Sequence, residues 1–211
     1  MIEPQPGRYF IGASPELLAE VRAPFFRSTA LAGTARRGET EAEDDRLGQE
    51  LMQSPKERQE HAIVLNTIVE KLSALAEDVY YPTRPGLRKL GNVQHLETPI
   101  QGHLAPGRGV LEVVAALHPT PALGGWPQSA AQSYLNQAEP FGRGWYAAPI
   151  GWFDPWGNGL FAVGIRSGLF KENTATLFAG AGIVTGSEPG QEWRETELKF
   201  KPLLEAIGAQ P

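Results

Sequence analysis

Cysteine is missing altogether from the 211 residues, which removes disulfides, thiolate metal sites and cysteine nucleophiles together. Positive charge is in short supply: 19 lysines and arginines face 24 aspartates and glutamates, a net charge of −5. Phosphate binding needs clustered lysine and arginine, and no basic stripe interleaved with aromatics appears, which argues against nucleic acid as the main partner. Long hydrophobic runs are lacking too. Nothing approaches the roughly 18 apolar residues of a membrane span, and the opening MIEPQPGRYF has no signal-peptide shape. No internal repeat and no linker interrupts the chain. The expectation is a cytoplasmic protein with no nucleic-acid or membrane partner.

What is present suits a globular core. Hydrophobic residues make up 41% and charged residues 20%, and the length allows one sizeable core or two small ones. Residues 8–32 read as strands and turns (RYFIGA, LLAEV, FFRSTAL), followed by a Gly-rich turn, AGTARRG (32–38). The acidic ETEAEDD (39–45) reads as a solvated helix start, because acids favour the first turn. Ser54, Pro55 and Glu57 fit the N-cap, N1 and N3 positions of a capping box. Val64, Ile68, Leu72 and Leu75 then form an apolar stripe at helical spacing, to about residue 78. VQHLETPIQGHL (93–104) reads as a strand and GVLEVVAAL (109–117) as a helix broken by HPTP. PIGWF and the segment from about Leu160 to Arg166 form a hairpin around DPWGNG (154–159). ATLFAGAGIV (175–184) is a strand running into a Gly-rich bend, and 188–207 is the last helix. Elements come in blocks rather than in strict alternation, which predicts an α+β fold.

Two acidic helix faces carry the most chemistry. Residues three apart in a helix share a face, which pairs Glu57 with Glu60 and Glu192 with Glu195. Stepping back along the Val64/Ile68/Leu72 stripe lands on Glu60 and Glu57, so these acids lie toward the buried side. Glu57 has a second explanation as the capping-box acid; Glu60 and Glu195 have none. Acidic helix starts are commonly just solvated. If both faces point inward, however, unit charges ~5 Å apart at an effective dielectric near 20 repel by roughly 3 kcal/mol. A divalent cation converts that repulsion into binding, and all-oxygen ligands suit Mg²⁺ better than Zn²⁺. Arg166, isolated in the apolar strand segment FAVGIRSGLF, needs an anionic partner, either a structural carboxylate or a ligand acid. AGTARRG and FAGAGIVTG can present backbone N–H groups to an anion or can be plain tight turns. His61 and His103 read as structural, and His95 sits in an extended segment.

Together GASPELL, LAGTARRG, SPKERQEH, NVQHLETPIQG, ALHPTPALGGWP, RGWYAAPIGWFD, AVGIRSGLF, FAGAGIV and EWRETELKFKPLL resemble the chorismate-utilising enzymes in content and order, isochorismate synthases above all. The resemblance covers about residues 8–205. It implies part of the chorismate-binding, anthranilate synthase component I-like fold, an antiparallel sheet with packed helices. It also implies that Glu60 and Glu195 ligate Mg²⁺ with Glu57 and Glu192 as supporting acids, and that the metal holds the ring carboxylate of chorismate. Lys199 and the backbone of Gly33 and Thr34 assist there. Tyr146, Arg166 and the Gly180–Gly182 bend grip the enolpyruvyl carboxylate. Glu16 resembles the general acid for the departing C4 hydroxyl, and the resemblance makes His95, in the same pocket, the second catalytic candidate. Ala122 stands where ammonia-using relatives and salicylate synthases typically carry threonine, which favours water as nucleophile.

The implied reaction is Mg²⁺-dependent conversion of chorismate to isochorismate, feeding menaquinone, phylloquinone or siderophore synthesis. Members of this family are about twice as long, and a Lys in a V-x-K-x-V-L-x-R strand ahead of the SPE motif activates the water. Glu16 follows Met1 by only fifteen residues, and no such strand occurs. The chain is therefore expected to be a single partial domain, 1–211, lacking the N-terminal half. A complementary half or a second copy is the expected protein partner. The alternatives are a non-catalytic binding or assembly module, or a salicylate or anthranilate synthase relative.

Overall fold

The apolar stripe of the longest helix is buried against an antiparallel sheet. The computed structural model describes residues 1–209. Its strands are β1 (Ile2–Gln5), β2 (Arg8–Gly12), β3 (Leu17–Arg22), β4 (Phe25–Arg36), β5 (Ala76–Tyr80), β6 (Gly86–Lys89), β7 (Val93–Leu104), β8 (Pro149–Phe153), β9 (Gly159–Val163), β10 (Ser167–Lys171) and β11 (Thr174–Phe178). The helices are α1 (Glu41–Gln53), α2 (Pro55–Ser73), α3 (Val110–Leu117), α4 (Pro121–Gly124), α5 (Gln128–Ala138) and α6 (Pro189–Ala206). A seven-stranded sheet runs β5-β7-β4-β3-β9-β8, with β6 pairing β7, and a four-stranded sheet runs β1-β2-β10-β11. Every pairing is antiparallel. The expected α+β class is what the chain forms. None of the described helices is long and apolar enough to cross a membrane.

Helix α2 starts as its sequence dictates: Ser54 is the N-cap, its hydroxyl accepts from the Glu57 N–H, and Pro55 occupies N1. Its stripe of Val64, Ile68 and Leu72 is at most 2% exposed. It packs with Ala30, Phe26, Ile100 and Leu104 of the large sheet and with Val110, Val113 and Leu117 of α3. Burying three such side chains contributes several kcal/mol. Thr98 of β7 faces α2, where its hydroxyl meets His61 Nε2 at 2.8 Å. By strand alternation His95 projects from the opposite face of β7.

Several expectations need correction. AGTARRG is not a turn: β4 runs through to Arg36, and the register against β7 slips between Ala32 and Thr34. The slip is a β-bulge at Gly33, whose φ of 79° suits glycine. Helix α2 ends at Ser73 rather than near 78, and the next residues enter β5. Leu75, counted in the helical stripe, lies past that end and still packs on the core. Arg166 is not in a strand but in the connection between β9 and β10. Helices α4 and α5 were not foreseen. QSAAQSYLNQA buries no residue along α5, so its sequence carries no apolar stripe to betray it.

Candidate active site

A cavity of ≈ 620 Å³ opens where the β4 bulge, β7, the N-terminal half of α2, the 179–184 loop and α6 converge. A neighbouring cleft of ≈ 690 Å³ lies against α4, α5 and residues 139–148. The first holds the chemistry. Glu16, Gly33, Thr34, Glu60, His95, Ala122, Tyr146, Arg166, Gly180, Gly182, Glu195 and Lys199 all line it. Glu57 and Glu192 stand beside it, tied to its walls through Thr34 and Lys56.

The two acidic faces do meet. Lys56 Nζ donates to Glu192 Oε1 at 2.7 Å and lies 3.4 Å from Glu57 Oε1, which clips α2 to α6. Lys199 donates to Glu195 and to the Gly180 carbonyl. The Glu60 carboxylate makes no hydrogen bond or ion pair among the described residues. Burial first, then the charges of Glu57 and Glu195, push its carboxyl up to about 7, although Lys199 and Lys56 pull the other way. Gly182 makes this closeness possible, since a Cβ there would lie 2.7 Å from Glu60 Oε1.

Glu57 is not a capping-box acid. The Ser54 N–H goes to the Glu50 and Leu51 carbonyls, and Glu57 Oε2 instead accepts from the Thr34 N–H at 3.1 Å. That bond clamps the Gly33 bulge, where a Cβ would meet Glu57 Oε2 at 3.2 Å and Leu96 Cδ1 at 3.3 Å.

These donors suit a hard divalent ion: four carboxylates from two helices, with no thiolate or imidazole among them. As they stand, no three acidic or imidazole side chains among the described residues are close enough to enclose an ion. Lys56 and Lys199 occupy three of the acids.

Arg166 and Tyr146 line the same cavity. Arg166 adopts φ 49°, a conformation that costs a non-glycine residue about 1–3 kcal/mol. Its guanidinium has no carboxylate partner among the described residues, although desolvation pushes its pKa down. Arg166 Nη2 instead lies 3.3 Å from His95 Nε2. Tyr146 stacks on Phe178 with ring centroids 5.3 Å apart, and burial raises its phenol above the ordinary value. A Cβ on Gly180 would come within 3.1 Å of the Tyr146 hydroxyl.

Glu16 is 4% exposed, its carboxyl has no partner among the described residues, and burial raises it to about 7. Such an acid keeps its proton near neutrality and can hand it to a leaving group. His61 and His103 are structural as expected: the first is buried against Thr98, the second pairs with Asp78 at 3.0 Å.

Lys56 and the Arg143–Glu139 pair escaped the sequence reading. Arg143 donates twice to Glu139 and once to the Leu123 carbonyl, bracing the pocket wall formed by α4 and α5. The only signal for Lys56 was its place between acids at the start of α2. Arg143 opens the RGWYAAPIGWFD motif but carries no role in the sequence reading.

Comparison with known proteins gives the family and the fold. The family model described as chorismate binding enzyme matches residues 1–208. The salicylate biosynthesis isochorismate synthase of Pseudomonas aeruginosa is 50% identical over 95% of this chain and 42% of its own length. The isochorismate synthase MenF of Bacillus subtilis is 47% identical over 98% of this chain and 44% of its own length. The structure of MenF, the menaquinone-specific isochorismate synthase from Escherichia coli, superposes with a TM-score of 0.85 at 34% identity, covering 93% of this chain and 45% of that one. Anthranilate synthase component I from Streptococcus pneumoniae gives 0.80 at 28% identity, over 92% and 43%. The chain spans about half the length of the curated relatives it matches.

Proposed function

The chain belongs to the chorismate binding enzyme family, and from that premise we propose that it forms the substrate- and cation-binding part of an isochorismate synthase. One observation carries the reading: a single cavity is lined by Glu60 and Glu195, with Glu57 and Glu192 beside them, and by an arginine that has no carboxylate hydrogen-bond partner among the described residues. Chorismate is a dicarboxylate and fits such a polarity. The acids, with a divalent ion bound, would hold its ring carboxylate, and Arg166, the Tyr146 hydroxyl and the Gly180–Gly182 backbone would hold its enolpyruvyl carboxylate.

Glu60 and Glu195 would hold Mg²⁺, with Glu57 and Glu192 around it. An ion bound there would supply the charge that neutralises the ring carboxylate. Lys199, with Gly33 and Thr34, borders those acids. Glu16 gives its proton to the C4 hydroxyl, which leaves as water while a second water adds at C2 and the ring double bonds shift. The substrate therefore exchanges one hydroxyl for another, with no redox change.

The attacking water must lose a proton to a base. Lys199 is held by Glu195 and the Gly180 carbonyl, so we assign the base to a polypeptide segment outside this chain, a complementary half or another copy. The β8 edge, with Trp152 and Phe153 exposed, pairs only β9 among the described residues and offers a place for such a strand. Ala122, small and apolar in the wall, favours water over ammonia and isochorismate over salicylate or anthranilate. A cytoplasmic location is part of the same proposal.

Calorimetry with chorismate and millimolar Mg²⁺, followed by product separation, tests this. Expected are Mg²⁺-dependent binding, slow turnover by the chain alone, and isochorismate once a base-bearing half is added. No binding would overturn the proposal. Binding without turnover in any combination would favour the non-catalytic module, and salicylate or anthranilate as main product would refute the Ala122 argument.

A further inference from the structure

The three polar contacts of the His95 ring leave little freedom in what it can do. The side chain is 5% exposed. Nδ1 lies 3.1 Å from the Gly33 carbonyl and 3.2 Å from Thr34 Oγ1. A carbonyl can only accept, so Nδ1 carries the proton. A neutral imidazole then has its lone pair on Nε2. Arg166 Nη2, which can only donate, stands 3.3 Å away from it. Every ring atom able to make a hydrogen bond is thereby assigned.

We infer that His95 is a positioning residue, a fixed neutral acceptor whose Nε2 aims the Arg166 guanidinium into the pocket, rather than an acid or a base. This rests on the reading above that Arg166 holds a substrate carboxylate. It replaces the catalytic role that the family resemblance suggests for His95. Arg166 needs such a guide because its backbone is in the left-handed region and no carboxylate among the described residues holds its head group. Burial, then the charges of Lys199 and Arg166, push the imidazole down to about 3, which agrees with a ring that stays neutral at pH 7.

The support for His95 extends to the acids of the cavity. Its carbonyl partner belongs to Gly33, the bulge residue at φ 79°. The bulge is held by the bond from the Thr34 N–H to Glu57 Oε2. Thr34 is also the cross-strand partner of His95 in the β4–β7 ladder. A continuous set of contacts thus runs from Glu57, through a bulge, to Arg166.

Two measurements test the inference. Side-chain ¹⁵N NMR of the unliganded protein at pH 7 should find the proton on Nδ1 and a bare Nε2. Arg166→Ala should move the Nε2 resonance and leave Nδ1 in place. Chorismate calorimetry should find His95→Leu weakened about 10- to 100-fold, the range for losing a hydrogen bond from a charged donor. His95→Gln, whose amide oxygen can reach the place of Nε2, should stay within a few-fold of wild type. His95→Leu added to Arg166→Ala should cause no further loss. A proton on Nε2, equal damage from Gln and Leu, or additive losses would overturn the inference. Wild type that binds no chorismate would defeat the proposed function instead, and the NMR result alone would then decide whether His95 serves Arg166.

Discussion

Replacing Glu16 by glutamine should stabilise the protein at high pH and leave it unchanged at low pH. The side chain is 4% exposed, and burial lifts its carboxyl from an ordinary 4.5 to about 7 against a smaller opposing pull from Lys199. The folded state therefore holds this proton more tightly than the unfolded chain does. The contribution to stability is complete below pH 4.5, declines as pH rises toward 7, and is gone above it. A displacement of that size converts to about 3 kcal/mol at 1.36 kcal/mol per pH unit. Glutamine keeps the shape and cannot ionise. Glu16→Gln should match wild type near pH 4 and exceed it by about 3 kcal/mol at pH 8, or about 6–12 °C in Tm for a domain of this size. Glu60 titrates in the same window, but it is common to both proteins and drops out of the difference. Denaturant titrations in a chelating buffer at several pH values would measure it. Parallel wild-type and variant profiles, or a variant equally destabilised throughout, would refute the argument that Glu16 is buried without a partner. With a base-bearing half supplied, the same variant should bind chorismate and fail to turn it over.

Millimolar Mg²⁺ should raise the Tm of wild type and leave Glu195→Ala unmoved; an equal shift in both would sink the cation assignment. Gly182→Ala places a methyl group 2.7 Å from Glu60 Oε1, and about a tenfold loss of Mg²⁺ affinity by calorimetry is expected, in the range for residues that orient metal ligands. Asp44, held by Arg37, the Gly38 N–H and Lys89, has its carboxyl kept well below the usual range. Its stabilisation is present above the unfolded pKa and is lost on acidification. Asp44→Asn should therefore melt below wild type at pH 7, with the gap beginning to narrow only as pH falls below 3.8 and still present at pH 3, as a melting series would reveal.

Local chemistry announced much of this molecule. The Ser54–Pro55 start of α2, the strand at 93–104 and the hairpin around DPWGNG depend on contacts within a few residues or on strict alternation. They were readable from the chain. What failed were places where a distant contact overrides a local preference. AGTARRG has the glycines of a turn, yet β7 holds it extended with one bulge. Glu57 has the spacing of a capping-box acid, yet the Thr34 N–H takes it. Helix α5 lies on the surface, where an apolar period is not required.

The same division runs through the site. By itself the sequence determined which residue types are available for chemistry: carboxylates three apart on two helices, an arginine in an apolar stretch, glycines where backbone must approach closely. Residue type and spacing follow from covalent order, so they survive any folding. The pairings were decided only by the tertiary structure. Lys56 bridges Glu57 and Glu192 across 136 positions of sequence, and His95 turns to Arg166 across 71. Burial is also a property of the packed chain, and it is burial that lifts Glu16 and Glu60 to about 7. Electrostatic energies depend on separation and on the local dielectric, and neither quantity exists until the strands and helices have closed around the cavity.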